Sequence, residues 1–242
     1  MAIDPRLLSI FISSPIFIVI SIYILFAKIL SKSKTYISRI LGLFYSSAIV
    51  SVVLNIIYAI LGIFNKGDLD LIILIIYYIT ITLMYGAGIY LTVATFLLYE
   101  KFNGKEKKLR IMELIYIFAF YVFTIPSYFI FNGVKIGDST ENKPVWDAPF
   151  TIYYYLIFII MIVIPVYFFI IKIRGFFRKN DKRLMKKWDY FIIGITSLII
   201  GITMNFLSYS FAEFRMFFNL INAIGLILGP ILIGYSYSEC KK

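Results

Sequence analysis

Residues 71–99, LIILIIYYITITLMYGAGIYLTVATFLLY, run for 29 positions without one Asp, Glu, Lys or Arg. A helix needs about 20 apolar residues to cross the hydrocarbon core of a bilayer, and this run exceeds that length before Glu100 and Lys101 close it. Six further apolar runs flank it, so that the segments fall at about 8–30, 40–64, 71–99, 111–131, 151–172, 190–211 and 216–237. Inside lipid every backbone N–H and C=O must find a partner within the protein, which makes each run a helix. The sequence therefore predicts an all-α fold, a single seven-transmembrane-helix bundle that occupies residues 1–242.

The charges give the bundle a direction. Lys and Arg cluster at Lys28 to Arg39, Lys101 to Arg110, Lys172 to Lys187 and Lys241/Lys242, which together hold 19 of the 24. The alternate connections hold only Arg6, Lys66, Lys135, Lys143 and Arg215. Short loops rich in Lys and Arg stay on the cytoplasmic side, so the N-terminus is expected outside and the C-terminus inside. With the acids included, the inner side carries a net charge of +13 and the outer side −2, which accounts for the overall +11. That asymmetry suits anionic lipids of the inner leaflet and argues against a nucleic-acid partner. The first run lacks a basic leading segment and a small-residue cleavage site, and is expected to be a retained helix rather than a signal peptide.

Composition removes several chemistries. Hydrophobic residues make up 61% of the chain and mean hydropathy is +0.90, against about half apolar in soluble domains. There is no histidine, and Cys240 is the one cysteine. His-ligated zinc or haem, a Ser-His-Asp triad, thiolate clusters and an intrachain disulfide are all excluded. Cys240, at the inner membrane edge, is a position where S-palmitoylation is conceivable, though an unmodified thiol is the simpler reading. No ionisable residue lies near the middle of a run, whereas pumps and voltage sensors carry charge there. Residues 216–237 contain no lysine, which excludes a retinal Schiff base on the last helix. Glu100, Glu113 and Asp189 are scattered along the inner edge without a convergent acid–base pair. No enzyme activity and no cofactor are expected.

What polarity remains inside the helices is patterned. Tyr78, Thr82, Tyr85, Thr92, Thr95 and Tyr99 recur at three-, four- and seven-residue steps, with Gly88 in the gap, and so share a helix face. A hydroxyl stripe of that length is poorly served by lipid, which places the third helix at the centre of the bundle. The second helix carries Ser47, Ser51, Asn55 and Ala59, the sixth repeats Gly194-Ile195-Thr196 as Gly201-Ile202-Thr203, and the seventh holds Gly225-x-x-x-Gly229 before Pro230. Small residues of this kind let helix backbones approach. Asn205, Asn219 and Asn222 fall in the outer half, and Asn55 nearer the middle. An amide brings two donors and an acceptor that all require partners. Asn55, Tyr78, Thr82, Tyr85, Asn205, Asn219, Asn222 and Trp146 are the candidate lining of an outward-facing ligand pocket, since such sites pair apolar walls with a few convergent polar groups.

Two loops add to this. Residues 132–150 form the one long outer loop, where Trp146 is expected as an interfacial anchor or, alternatively, as part of a lid. Inside, Arg178/Lys179, Lys182/Arg183 and Lys186/Lys187 recur every four residues, with Ile173, Phe177, Leu184 and Trp188 on another face. The spacing predicts a basic amphipathic helix over 173–189, lying along or extending from the membrane, that contacts anionic lipid or docks a cytosolic partner. Pro165 and Pro230 are candidate kinks in the fifth and seventh helices.

The stretch from Arg183 through Trp188 and Gly194, the polar sixth helix, and the Asn- and Gly-rich seventh helix ending in Tyr235-Ser236-Tyr237 resembles the N-terminal seven-helix sensor region of some bacterial and archaeal histidine kinases. The resemblance covers topology and these signatures, and it transfers no binding residue. It implies a receptor-like protein of a prokaryotic plasma membrane. Because the chain stops five residues after Tyr237, the expected output is a separate cytosolic signalling protein. A transporter or channel for a neutral solute, or a non-catalytic membrane assembly subunit, is the alternative.

Overall fold

The computed structural model describes residues 5–31, 35–65, 67–104, 110–131, 133–136, 144–180 and 182–236. Helix α1 (Pro5–Tyr23) continues through a π-helical stretch (Ile24–Leu30), and α2 (Tyr36–Phe64), α3 (Asp70–Phe102) and α4 (Arg110–Phe131) follow. A two-stranded hairpin of β1 (Val134–Lys135) and β2 (Val145–Trp146) precedes the fifth span. That span is built from α5 (Ala148–Phe158), a π-helical turn (Ile159–Val163) and α6 (Ile164–Asn180). Helix α7 (Lys182–Ser210), a 3₁₀ turn (Ala212–Phe214) and α8 (Arg215–Ser236) complete the bundle.

Seven of these helical stretches are long and apolar enough to cross a membrane. Their outward faces carry Val19, Phe64, Leu71, Phe129, Ile171, Ile193 and Met216, one on each span and each more than half exposed to the surroundings of the bundle. Water-soluble proteins do not leave such a continuous apolar surface bare. The chain is an all-α integral membrane protein of seven spans.

The third helix is the hub. Half of its apolar stretch is buried, against 22% in the fourth span, and it packs on α2, α4 and α6. Helices α7 and α8 form the most extensive pair, and glycine explains the closeness. A Cβ placed on Gly225 would stand 2.6 Å from the Ser197 carbonyl oxygen and 2.9 Å from the Gly201 Cα. One on Gly194 would stand 2.9 Å from the Gly229 oxygen.

The basic inner segment differs from the sequence expectation. It is no separate amphipathic helix. Helix α6 runs out to Asn180 and α7 starts at Lys182, so the periodicity of 173–189 belongs to two transmembrane helices that project past their apolar stretches. Three contacts tie the projections together. Trp188 donates its indole N–H to the Ile170 carbonyl at 3.0 Å, Phe177 meets the Trp188 ring edge to face at 5.7 Å, and Arg174 Nε pairs with Asp189 Oδ1 at 2.6 Å. Ile173, Phe177 and Trp188 are buried as expected, while Leu184 is 39% exposed.

Pro165 has a visible local consequence. It has no N–H for the carbonyl four residues earlier, that of Met161, and the π-helical turn sits just before it. Tyr116 of α4 supplies the missing donor, its hydroxyl giving a 2.5 Å hydrogen bond to the Met161 oxygen, with Thr92 of α3 at 3.5 Å as a second donor. Tyr116→Phe is expected to lower stability by about 1–3 kcal/mol, the cost of leaving a buried polar group without its partner. In a Pro165→Ala background, where the backbone N–H returns, the same change is expected to cost less. Denaturant titration of the four proteins as a double-mutant cycle measures the difference.

Candidate functional site

A polar cavity opens among α1, α2, α7 and α8, at the end of the bundle where α8 begins. The α8 residues Arg215, Asn219, Asn222 and Leu226 follow at steps of four, three and four and present one face. Helix α7 contributes Asn205, Ser208 and Tyr209, α2 contributes Asn55 and Tyr58, and α1 contributes Ser13 and Ser14. A second cavity continues deeper along Ser14, Asn55, Asn205, Tyr209 and Asn222, which line both, to Ser51, Tyr77, Thr80, Met84 and Tyr85. Asn222 Nδ2 donates to Asn205 Oδ1 over 3.5 Å, and the Tyr85 hydroxyl faces Asn205 across the deeper cavity. Ser51 donates to the Thr80 carbonyl at 2.8 Å, which fixes α2 against α3 beside the floor.

Size sets what can enter. Each cavity measures about 40 Å³, room for roughly two or three waters at about 10–15 Å³ each. Pockets for larger organic ligands measure about 300–1,000 Å³. In this conformation the space suits water or a polar group of a few atoms.

An aromatic cluster stands behind the cavity walls. Strand β2 places Trp146 opposite Val134 in the hairpin, and this turns the indole into the bundle. Trp146 is 3% exposed. Its indole N–H donates to the Tyr77 hydroxyl at 2.8 Å, and its ring stacks on Tyr209 with centroids 5.4 Å apart and planes at 17°. Phe150 and Phe206 meet it edge to face at 4.9 and 5.2 Å. The expectation of an interfacial anchor is corrected. The indole N–H has a partner inside the protein, so it has no need of the membrane–water boundary. Trp146 does not line the cavities; it holds Tyr77 and Tyr209, which do.

The other candidates divide. Asn55, Tyr85, Asn205, Asn219 and Asn222 come together as the sequence pattern expects. Tyr78 and Thr82 do not reach the cavities. Thr82 shares a 2.8 Å hydrogen bond with the Tyr128 hydroxyl, which continues at 2.7 Å to Tyr154, and Tyr78 stacks on Tyr128 at 4.4 Å. The reason is rotation. At about 100° per residue, Tyr77, Thr80, Ile81 and Met84 occupy the face beside the hydroxyl stripe, and that face meets the cavity together with Tyr85, while Tyr78 and Thr82 meet Tyr128 of α4. Arg215 was not among the candidates. It donates to the Ser208 carbonyl at 2.9 Å and, at 3.5 Å, to that of Pro144, which sets a cation at the cavity wall. Its isolation as a single basic residue between two outer-half helix ends was the available signal.

At the opposite end, Arg178, Arg183 and Lys186 are exposed and Lys187 is half-buried. The side chains of Lys179 and Lys182, and all of Cys240, lie outside the described residues. Glu113 departs from the picture of an edge carboxylate. It is 2% exposed, and it lines an apolar pocket of about 360 Å³ with Val93, Phe96, Met112, Tyr116 and Phe169. Among the described residues, no group of three or more Cys, Asp or Glu is placed to hold a metal ion.

Comparison of the chain with protein-family models, with curated proteins and with solved structures finds no match in any of the three.

Proposed function

We propose that this protein is a receptor-like sensor of a prokaryotic plasma membrane, with its N-terminus outside and its C-terminus inside. It binds a small polar ligand in the cavity at its outer end and passes a helix shift to a separate cytosolic protein. The observation that supports this most is the convergence of Asn55, Asn205, Asn219 and Asn222 on one polar cavity. Four half-buried amides from three helices are costly to withdraw even partly from water unless their donors and acceptors have work to do. Arg215 in the wall favours a ligand that offers acceptor oxygens or negative charge. The exposed Arg178, Arg183 and Lys186 at the far end of α6 and α7 suit anionic inner-leaflet lipid and the docking of the signalling partner. The resemblance to the seven-helix region of histidine kinases agrees with this role, and the protein acts without catalysis of its own.

Helix α7 reaches from the ligand cavity to the basic end in one piece, Lys182–Ser210, which gives a shift at Asn205 a rigid path inward. A panel of metabolites is expected to contain a compound that raises the melting temperature of the detergent-purified protein. That response is expected to vanish in the Asn205→Leu/Asn222→Leu variant while the unliganded fold survives. A folded double variant that keeps every ligand response excludes the cavity as the site. Transport of a neutral solute is the second reading, favoured by the way the two cavities share walls and lead toward the middle of the bundle. Flux of the stabilising compound into proteoliposomes separates it from sensing.

A further inference from the structure

The apolar pocket at the start of α4 has a chemistry distinct from that of the polar cavity. Its walls come from α3, α4 and α6, and Glu113 is the one charged side chain among the described residues that line it. Three aromatic rings surround the space, those of Phe96, Tyr116 and Phe169, and the Phe96 and Phe169 centroids lie 5.0 Å apart. The hydroxyls present are engaged with backbone: Thr92 donates to the Gly88 carbonyl at 3.0 Å and Tyr116 to that of Met161. A neutral polar ligand would thus lose its hydration without recovering hydrogen bonds from them, and an anion would meet the carboxylate. A cation meets the reverse: ring faces attract it, and a carboxylate in a medium of low dielectric attracts it further. At about 360 Å³ the space falls within the range of small-molecule sites, about 300–1,000 Å³. Met112, 65% exposed, forms part of the wall, so the pocket communicates with the lipid-facing surface.

We propose that this pocket binds an alkylammonium group, its positive head between Glu113 and the rings of Phe96, Tyr116 and Phe169, and its hydrocarbon along Val93 and Met112. The inference is independent of the outer cavity and of any ligand there. Two sources carry this chemistry, the amino head of a membrane phospholipid and a free amphiphilic amine. The first turn of α4 lies at the end of a span, where both are found.

The test is a titration of the full-length protein with hexyltrimethylammonium and, separately, with hexanol. The ammonium compound is expected to raise the melting temperature and hexanol is not. Glu113→Gln and Phe169→Leu are each expected to weaken the ammonium response about tenfold, and Phe169→Leu carries the test if Glu113→Gln fails to fold. Equal responses to the two compounds overturn the proposal, as does an unchanged ammonium affinity in the folded variants. Repeating the titration in nanodiscs of phosphatidylethanolamine and of phosphatidylglycerol identifies the source. Weaker apparent binding in the former indicates a lipid head already seated in the pocket. Equal binding in both indicates a free amine, and either result supports the site.

Discussion

Gly225→Leu is expected to abolish the folded bundle. A Cβ at this position meets two backbone groups of α7, the Ser197 oxygen at 2.6 Å and the Gly201 Cα at 2.9 Å. Backbone cannot rotate out of the way as a side-chain end can, so the helices must part along the most extensive contact in the molecule. Overpacking alone costs about 1–3 kcal/mol, and separation of α7 from α8 also dismantles the cavity that both line. Gly175 supplies the control, because a Cβ there meets nothing within 4 Å. Gly175→Ala is expected to leave stability equal or slightly higher, by up to about 1 kcal/mol, from helix propensity. Size-exclusion profiles and melting curves of the two variants against the parent check the contrast. A monodisperse Gly225→Leu protein that melts like the parent would show that the close approach of α7 and α8 is dispensable.

The second large effect is expected at Trp146. Its indole holds Tyr77 by a hydrogen bond and Tyr209 by stacking, and those two residues line the cavities. Trp146→Ala removes the ring between them. Loss of a buried tryptophan costs about 3–5 kcal/mol, and the freed volume lets Tyr77 and Tyr209 move in the cavity walls. The expected variant is less stable by that amount and more open at the polar cavity. Trp146→Phe keeps the stack on Tyr209 but loses the donor to Tyr77, and is expected to fall between the two.

Much of this arrangement is legible in the sequence, for identifiable reasons. The spans are, because hydrocarbon thickness imposes a length that runs such as 71–99 declare. Convergence of Asn55, Asn205, Asn219 and Asn222 is foreseeable, since amides inside apolar helices must meet one another. Tyr78 and Thr82 mislead because periodicity identifies a face of α3 without saying which neighbour covers it, and a buried central helix has neighbours on every side. Trp146 misleads because a two-residue pairing in the hairpin, Val134 with Trp146 and Lys135 with Val145, is too short to leave a sequence pattern. Glu113 stands at the end of an apolar run, where a carboxylate can reach the membrane–water boundary at little cost; its burial is a product of tertiary packing that the run's length does not report. The basic segment extends from the membrane, as one of the two expected placements has it, but as the ends of α6 and α7 rather than one helix, because amphipathic period is the same whether or not a helix continues into a span.

The central claim is that the asparagine cavity belongs to the outer side and that Trp146 holds Tyr77 and Tyr209 in place in its walls. The single cysteine makes this directly measurable. In a Cys240→Ser background, Asn205→Cys is treated in intact cells with a membrane-impermeant methanethiosulfonate added from outside, with Trp146 either kept or replaced by alanine. Slow labelling of the cysteine with Trp146 present, and faster labelling with Trp146→Ala, is the predicted result. Absence of labelling from outside in both proteins, with labelling after the inner side is exposed, would contradict the account.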